Sequence, residues 1–391
     1  MESWNEEWRS MPWKHWTSPV ERFQVLPSFV LGEFVFIFLT LVTLVHAARH
    51  GRKYVAVWLA AFLAGTANDA IFMMLPMVDN FWQAQACIML TPRMPLYIPC
   101  VYNIFMYCGF VAADMLQLSL VPGACLAGIL GEAIYSPYDI TGAKFLWWTW
   151  HDTDAPIRNK LLGVPIGSSV WVITFTCSFY FILSMTLFRK KMSTGLSLLL
   201  TSLFSTPLMV LQMSVLQLIA GEAQGLPTYR SLVLVLILYL SLIVVGYIYR
   251  DQAKPSRFKD ANYTLLFFLV GYYTFMTANM GLGNPESHIS SGVHQEYGDC
   301  NITAPDITGH LRQVYLCRET HVQDFSFDCE DVCGKVGVDC SEASTSWYTV
   351  CGRRHSNYSL YLLATSIIST LGCVFYTFTL TYRGSTKQKK N

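Results

Sequence analysis

Nine stretches of about twenty apolar residues recur along this chain, and they constrain its fold more than any other feature. They fall at roughly 27–47, 54–77, 96–113, 117–134, 164–187, 196–219, 231–249, 263–282 and 358–382. Segments of that length cross a bilayer as helices, because a helix satisfies its own backbone polar groups in hydrocarbon. The sequence therefore predicts an all-α polytopic membrane protein. Charge usage agrees: 14% of the residues are charged, against about 25% in soluble domains. A net charge of +1 excludes a bulk basic surface for nucleic acid. The third and fourth stretches are short and meet at Asp114, so a hairpin that does not fully cross is the alternative there.

Basic clusters test the count. Arg49, Arg52 and Lys53 follow the first span, and Arg189, Lys190 and Lys191 the fifth. Arg250, Lys254, Arg257 and Lys259 follow the seventh, and Arg383, Lys387, Lys389 and Lys390 the ninth. With nine spans all four clusters share one side, which is then the cytosol. The expected organisation is a lumenal or extracellular tail, 1–26, and an eight-helix bundle, 27–282, with an outer loop at 135–163. A cysteine-rich extracytosolic module, 283–357, a last span, 358–382, and a basic cytosolic tail, 383–391, complete it. Residues 1–26 show no basic n-region or cleavage site, so the first span is expected to act as its own insertion signal.

The module holds six of the twelve cysteines: Cys300, Cys317, Cys329, Cys333, Cys340 and Cys351. An even set outside the bilayer predicts disulfides in an oxidising compartment and leaves the pairing open. Zinc on the run CEDVCGKVGVDC is the weaker alternative. Of the sequons at Asn301, Asn357 and Asn262, the topology exposes Asn301 best. Asn357 abuts a span, and Asn262 falls at the cytosolic face. The tail, with Lys389 third and Lys387 fifth from the end, resembles a dilysine retrieval signal, so the endoplasmic reticulum and the plasma membrane are both open.

Ionisable groups inside spans are costly and point to function. Asp69, beside Asn68, lies deep in the second span. Glu33, Glu132, Asp139, His151, Asp152 and Asp154 gather at the outer face. Asp114 is expected to be solvated at a cytosolic hairpin tip. Trp147, Trp148 and Trp150 offer ring faces to a cation or an apolar chain, or else mark an interfacial belt. Thr153 or Asp154 could cap a short helix, or Asp152 and Asp154 could pair with Arg158 and Lys160. His46 and His50 read as interfacial, with no third ligand on their side, so no metal and no cofactor is expected. Gln212 and Gln217 read as helix–helix hydrogen-bonding groups.

An ordered string over 65–171 resembles the carotenoid-biosynthesis membrane hydratases. It runs Gly65-Thr66, then Met94-Pro95-Leu96-Tyr97-Ile98-Pro99, Asp139, Trp148 with Trp150, Gly163-Val164-Pro165-Ile166-Gly167, and Trp171. The His151–Asp154 block and the cysteine module depart from that family. The whole chain also resembles a eukaryotic multi-pass family with a WWTWHDTD…GVPIG signature, which carries topology and no activity. The hydratase resemblance implies acid-catalysed hydration or isomerisation of a lipid or isoprenoid double bond. Apart from that resemblance, the outer-face cluster itself suits proton transfer to or from a lipid held between helices, with Asp69, Asp139, Asp152 and Asp154 as acid, base or cation stabiliser. His151 would be a proton relay, and Trp148, Trp150 and Asn68 would bind substrate. The alternative is a transporter, or a receptor or scaffold whose module binds an extracytosolic protein partner.

Overall fold

The computed structural model describes residues 11–75, 80–151, 153–250, 262–317, 325–337, 340–342 and 344–382. Asp152, the basic stretch 254–259 and the tail 383–391 lie outside the described residues. Among the described residues nine helices are long and apolar enough to cross a membrane, as a multi-pass membrane protein requires. They are α1 (Pro27–His50), α2 (Arg52–Met74), α3 (Tyr97–Met115), α4 (Leu120–Lys144), α5 (Ile166–Arg189), α6 (Thr194–Ala220), α7 (Tyr229–Ile248), α8 (Tyr263–Leu282) and α9 (Tyr358–Leu380). The weak third and fourth stretches are therefore full-length helices. Their low hydropathy has a packing cause. Every residue of α3 is buried in protein, so its surroundings are side chains rather than lipid. The α4 helix packs against α3, α5, α7, α8 and α9.

Two expectations are corrected here. The sequence puts the outer loop at 135–163, yet α4 runs on to Lys144 through Pro137. Proline lacks the N–H that would serve the carbonyl four residues back, on Ala133. The Tyr273 hydroxyl of α8 donates to that carbonyl instead, at 3.1 Å, and Tyr272 donates to Ile134 O at 2.6 Å. The helix survives its proline because a neighbour supplies the missing donor. Asp114 is also not solvated: it is 4% exposed and accepts from the Tyr54 hydroxyl at 3.0 Å. His46, near the end of α1, is buried, with Nδ1 2.8 Å from the Tyr107 hydroxyl and Nε2 3.0 Å from Asn262 Oδ1.

The loops at one end of the bundle fold together into a cap. Short strands β1 (Phe81–Gln83) and β2 (Trp148–Trp150) pair antiparallel, with Trp82 opposite Thr149. Ala84 N–H donates to Trp147 O, and Gln85 N–H donates to Ser291 O, tying this ribbon to the cysteine module. Strands β3 (Lys160–Leu161) and β4 (Val164–Pro165) form a tight hairpin through Leu162 and Gly163. Both turn residues have positive φ, as a two-residue hairpin turn requires, and Gly163 takes this at little cost. In the module, β5 (Ile289–Val293), β9 (Trp347–Gly352) and β8 (Phe325–Ser326) make a three-stranded sheet. A separate hairpin joins β6 (Thr303–Pro305) to β7 (Leu311–Gln313). The disulfides are Cys300–Cys317, Cys329–Cys351 and Cys333–Cys340. The first closes the base of the β6–β7 hairpin.

The module is rooted on the bundle by a chain of hydrogen bonds. Trp147 Nε1–H donates to Ser28 Oγ at 3.0 Å, and Ser28 Oγ lies 2.7 Å from His288 Nε2. His288 Nδ1 lies 2.8 Å from the Asn284 carbonyl, so Nδ1 carries the proton and Nε2 accepts from Ser28. Burial pushes His288 down to about 4, from an ordinary value of 6.5. The neutral form fits this site. Its stabilisation is complete above pH 6.5 and is lost as the pH falls toward 4. Acidification to pH 5 should cost about 2 kcal/mol at this residue. Thermal unfolding in detergent should show a lower Tm at pH 5 than at pH 7.5, with a flatter profile for His288→Gln. Equal pH profiles for the two proteins would refute the assignment.

Candidate functional site

A cavity of about 320 Å³ lies at the cap end of the bundle. Its walls come from α2 through α6, and its roof comes from the cap. The walls are mainly apolar and aromatic: Phe72, Val101, Tyr135, Tyr138, Trp171 and Met209 are among them. The alternation of a strand turns Trp148 and Trp150 to one side of β2, and both line the cavity. Trp148 is 3% exposed, and Trp147 is fully buried against α1, so these residues are core walls rather than an interfacial belt. Glycines make the room. A Cβ on Gly142 would lie 2.1 Å from the Trp148 ring, and one on Gly32 2.2 Å from the Trp147 ring.

Asn68 and Asp69 line the deep side. Thr206 Oγ1 on α6 donates to Asn68 Oδ1 at 2.9 Å, and the Tyr102 hydroxyl on α3 donates to Asp69 Oδ1. Gly65 permits this approach of α3 to α2, since a Cβ there would stand 2.2 Å from Tyr102 Cβ. Two backbone-anchored atoms cannot share that space. Gly65→Ala should lower stability by about 1–3 kcal/mol and pull Tyr102 from Asp69. Gly271→Ala, with open space around its Cβ, is the control and should leave the Tm unchanged or slightly raised. A similar Tm loss in both variants would remove the packing explanation.

Asp139 sits behind the wall. It is 2% exposed, and Ser168 Oγ, which lines the cavity, donates to its Oδ2 at 2.6 Å. Its Oδ1 is buried without a hydrogen-bond partner among the described residues. Asp154 lines the cavity from the loop after β2 and forms an ion pair with Arg312 Nε of the module at 2.9 Å. It stands at the N-cap of the short helix Ala155–Arg158 but makes no side-chain capping bond, and neither expected cap residue holds this helix. Thr153 Oγ1 instead donates to Gln295 Oε1 at 2.9 Å. The cavity thus joins Asn68, Asp69, Trp148, Trp150 and Asp154, with Asp139 one hydroxyl away.

The other named residues sit elsewhere. His151 does not line the cavity. It is buried between Trp82, at 4.2 Å between ring centroids, and His294, at 5.5 Å. Glu33 serves the fold, accepting from the N–H groups of Cys87 at 2.8 Å and Ile88 at 2.9 Å. Gln212 bridges helices, donating to Ser178 Oγ at 2.6 Å and accepting from the Tyr239 hydroxyl at 2.5 Å. Among the described residues no group of three His, Cys, Asp or Glu is placed to hold a metal. Asn301 is exposed, beside the hairpin base.

Sequence reasoning missed the roof. Asp306, Ile307 and Thr308, the tip of the β6–β7 hairpin, line the cavity together with Gln224 and Gly225. Burial raises the Asp306 carboxyl, but hydrogen bonds from Thr308 and His310 outweigh it and hold the group below its ordinary value. The hairpin docks on the α6–α7 loop, where His310 Nε2 lies 2.8 Å from Gln224 O. On the rim, Val210 is 47% and Ile307 63% exposed, so the opening meets both the apolar face of α6 and the cap surface.

No curated protein matches this sequence, and no solved structure does. Residues 12–382 match one family, described as "Domain of unknown function (DUF7802)", and the chain belongs to that family.

Proposed function

We propose that this protein is a membrane enzyme that modifies a lipid or isoprenoid by proton transfer in the cap-end cavity. The observation that carries this reading is the placement of the Asp69 carboxyl, held by Tyr102, within a mainly apolar, tryptophan-lined cavity whose rim meets the apolar face of α6. Such a cavity suits a chain entering from the bilayer. Asp69, in its acid form, gives a proton to one carbon of a double bond, leaving positive charge on the other. The ring faces of Trp148 and Trp150 and the Asp139 carboxylate stabilise that charge. Water then adds to the cation and returns a proton to Asp69, giving an alcohol. Transfer of a proton from the neighbouring carbon to the Asp69 carboxylate gives the isomer instead and restores the acid form. The string over 65–171 that we read as resembling the carotenoid hydratases would imply the same chemistry.

We place the cap on the extracytosolic side, because the basic clusters belong to the opposite loops and disulfides persist in oxidising compartments. Asn301 is then the expected glycan acceptor, and the protein resides in the endoplasmic reticulum or plasma membrane.

The test is lipid profiling of cells lacking the protein, rescued with wild type or Asp69→Asn at matched levels. A lipid that accumulates on loss and clears only with wild type supports the enzyme. An unchanged profile overturns it and moves attention to an extracytosolic partner for the module.

A further inference from the structure

We propose that the cavity takes a long-chain lipid alcohol and rejects its phosphorylated counterpart, with the hydroxyl seated at the cap beside Gln217 and Asp306. This rests on the reading of the cavity as a lipid site and names the substrate's polar end.

The cavity has two polar ends. Asn68 and Asp69 mark the deep one, level with Thr206 of α6. At about 1.5 Å per residue, α6 climbs roughly 16 Å from Thr206 to Gln217. Gln217, Asp306 and Thr308 form the second end, under the roof. A chain running between them puts its polar group at the cap and its interior carbons beside Asp69.

The cap end is built for a group that both donates and accepts. Gln217 is 3% exposed, and its Oε1 accepts from Gly225 N–H at 3.2 Å, which fixes the amide's orientation. Its Nε2 is buried and has no hydrogen-bond partner among the described residues. A buried amide donor without an acceptor is costly, so the site asks for an acceptor. Gly225, which donates to Gln217, packs against Thr308, and Thr308 donates to Asp306, whose carboxylate also lines the cavity and can only accept. A hydroxyl answers both. An amine would leave Gln217 unanswered.

Charge disfavours an anion at this end. Among the described residues that line the cavity there is no lysine or arginine. Arg312 stands behind Asp154, which already engages it. The C-terminus of α6, with its negative dipole end, closes just beyond Gln217. The N-terminus of α5 is the positive feature, through Gly167 and Ser168, and the Ser168 hydroxyl there already donates to Asp139. A phosphate would bring its charge to the Asp306 carboxylate and a helix C-terminus, with no cation on the lining to answer it.

The experiment uses the full chain in nanodiscs and a photoactivatable prenol, with unlabelled prenol, prenyl monophosphate and prenylamine of equal length as competitors. Prenol should block labelling, and the monophosphate should need at least about tenfold more. Gln217→Leu should weaken prenol about fivefold or more. Asp306→Asn, which keeps the size of the residue, should narrow the gap between prenol and monophosphate. A monophosphate that competes as well as prenol overturns the proposal, as does an amine that matches it. Absence of any specific labelling by the prenol overturns the lipid reading of the cavity, and this proposal with it.

Discussion

Asp69→Asn should lower formation of the lipid product by about 10²- to 10⁴-fold, the range for loss of a positioned general acid. The substitution keeps the shape of the side chain and an oxygen that can accept from Tyr102, so the fold should be intact. Detergent Tm and surface expression are the controls. Tyr102→Phe removes the donor that orients Asp69 but leaves the carboxyl, so its loss should be smaller, within about tenfold to a hundredfold. Asp139→Asn should also reduce product, because Asp139 reaches the cavity through Ser168. Measured product from Asp69→Asn at the wild-type rate would sink the assignment. Loss of product with a fall in Tm of many degrees would instead place Asp69 among the structural groups that hold α2 against α3.

The spans were legible because hydropathy is a property of short windows, and a bilayer acts on each window separately. The length of α4 was not legible. Pro137 reads as a break until Tyr273, far along the chain, is seen to serve the orphaned Ala133 carbonyl. The same limit applies to the site. Asp69 stood out alone, as a charge in an apolar run, but nothing near it in sequence names Tyr102 as its partner. Trp148 and Trp150 were singled out by composition. Their position as cavity walls depends on the pairing of β2 with β1. His151 was grouped with the acids because it is adjacent in sequence, yet its ring stacks on Trp82 away from the cavity. The roof was invisible, because Asp306 and Thr308 have no pattern until the Cys300–Cys317 disulfide and the hairpin place them.

Breaking the Asp154–Arg312 pair should have the largest effect on stability. The two side chains are 4% and 9% exposed, and their contact at 2.9 Å joins the loop after β2 to the stem of the roof hairpin. Each charge has lost most of its water, so the pair itself contributes little net stability over an apolar contact of the same shape. Removing one partner is different, because the survivor stays largely buried and loses the opposite charge held at 2.9 Å. Asp154→Leu should therefore cost about 3–5 kcal/mol, and so should Arg312→Met. The double variant should recover most of that loss, and this non-additivity is the signature of a buried pair. The damage should be local: hydrogen exchange should rise across 303–313 in each single variant and return toward wild type in the double. Additive losses would show that each residue acts through other contacts. The same series bears on function. If the hairpin roofs the cavity, both single variants should loosen ligand binding although Arg312 does not line it, and the double should restore it.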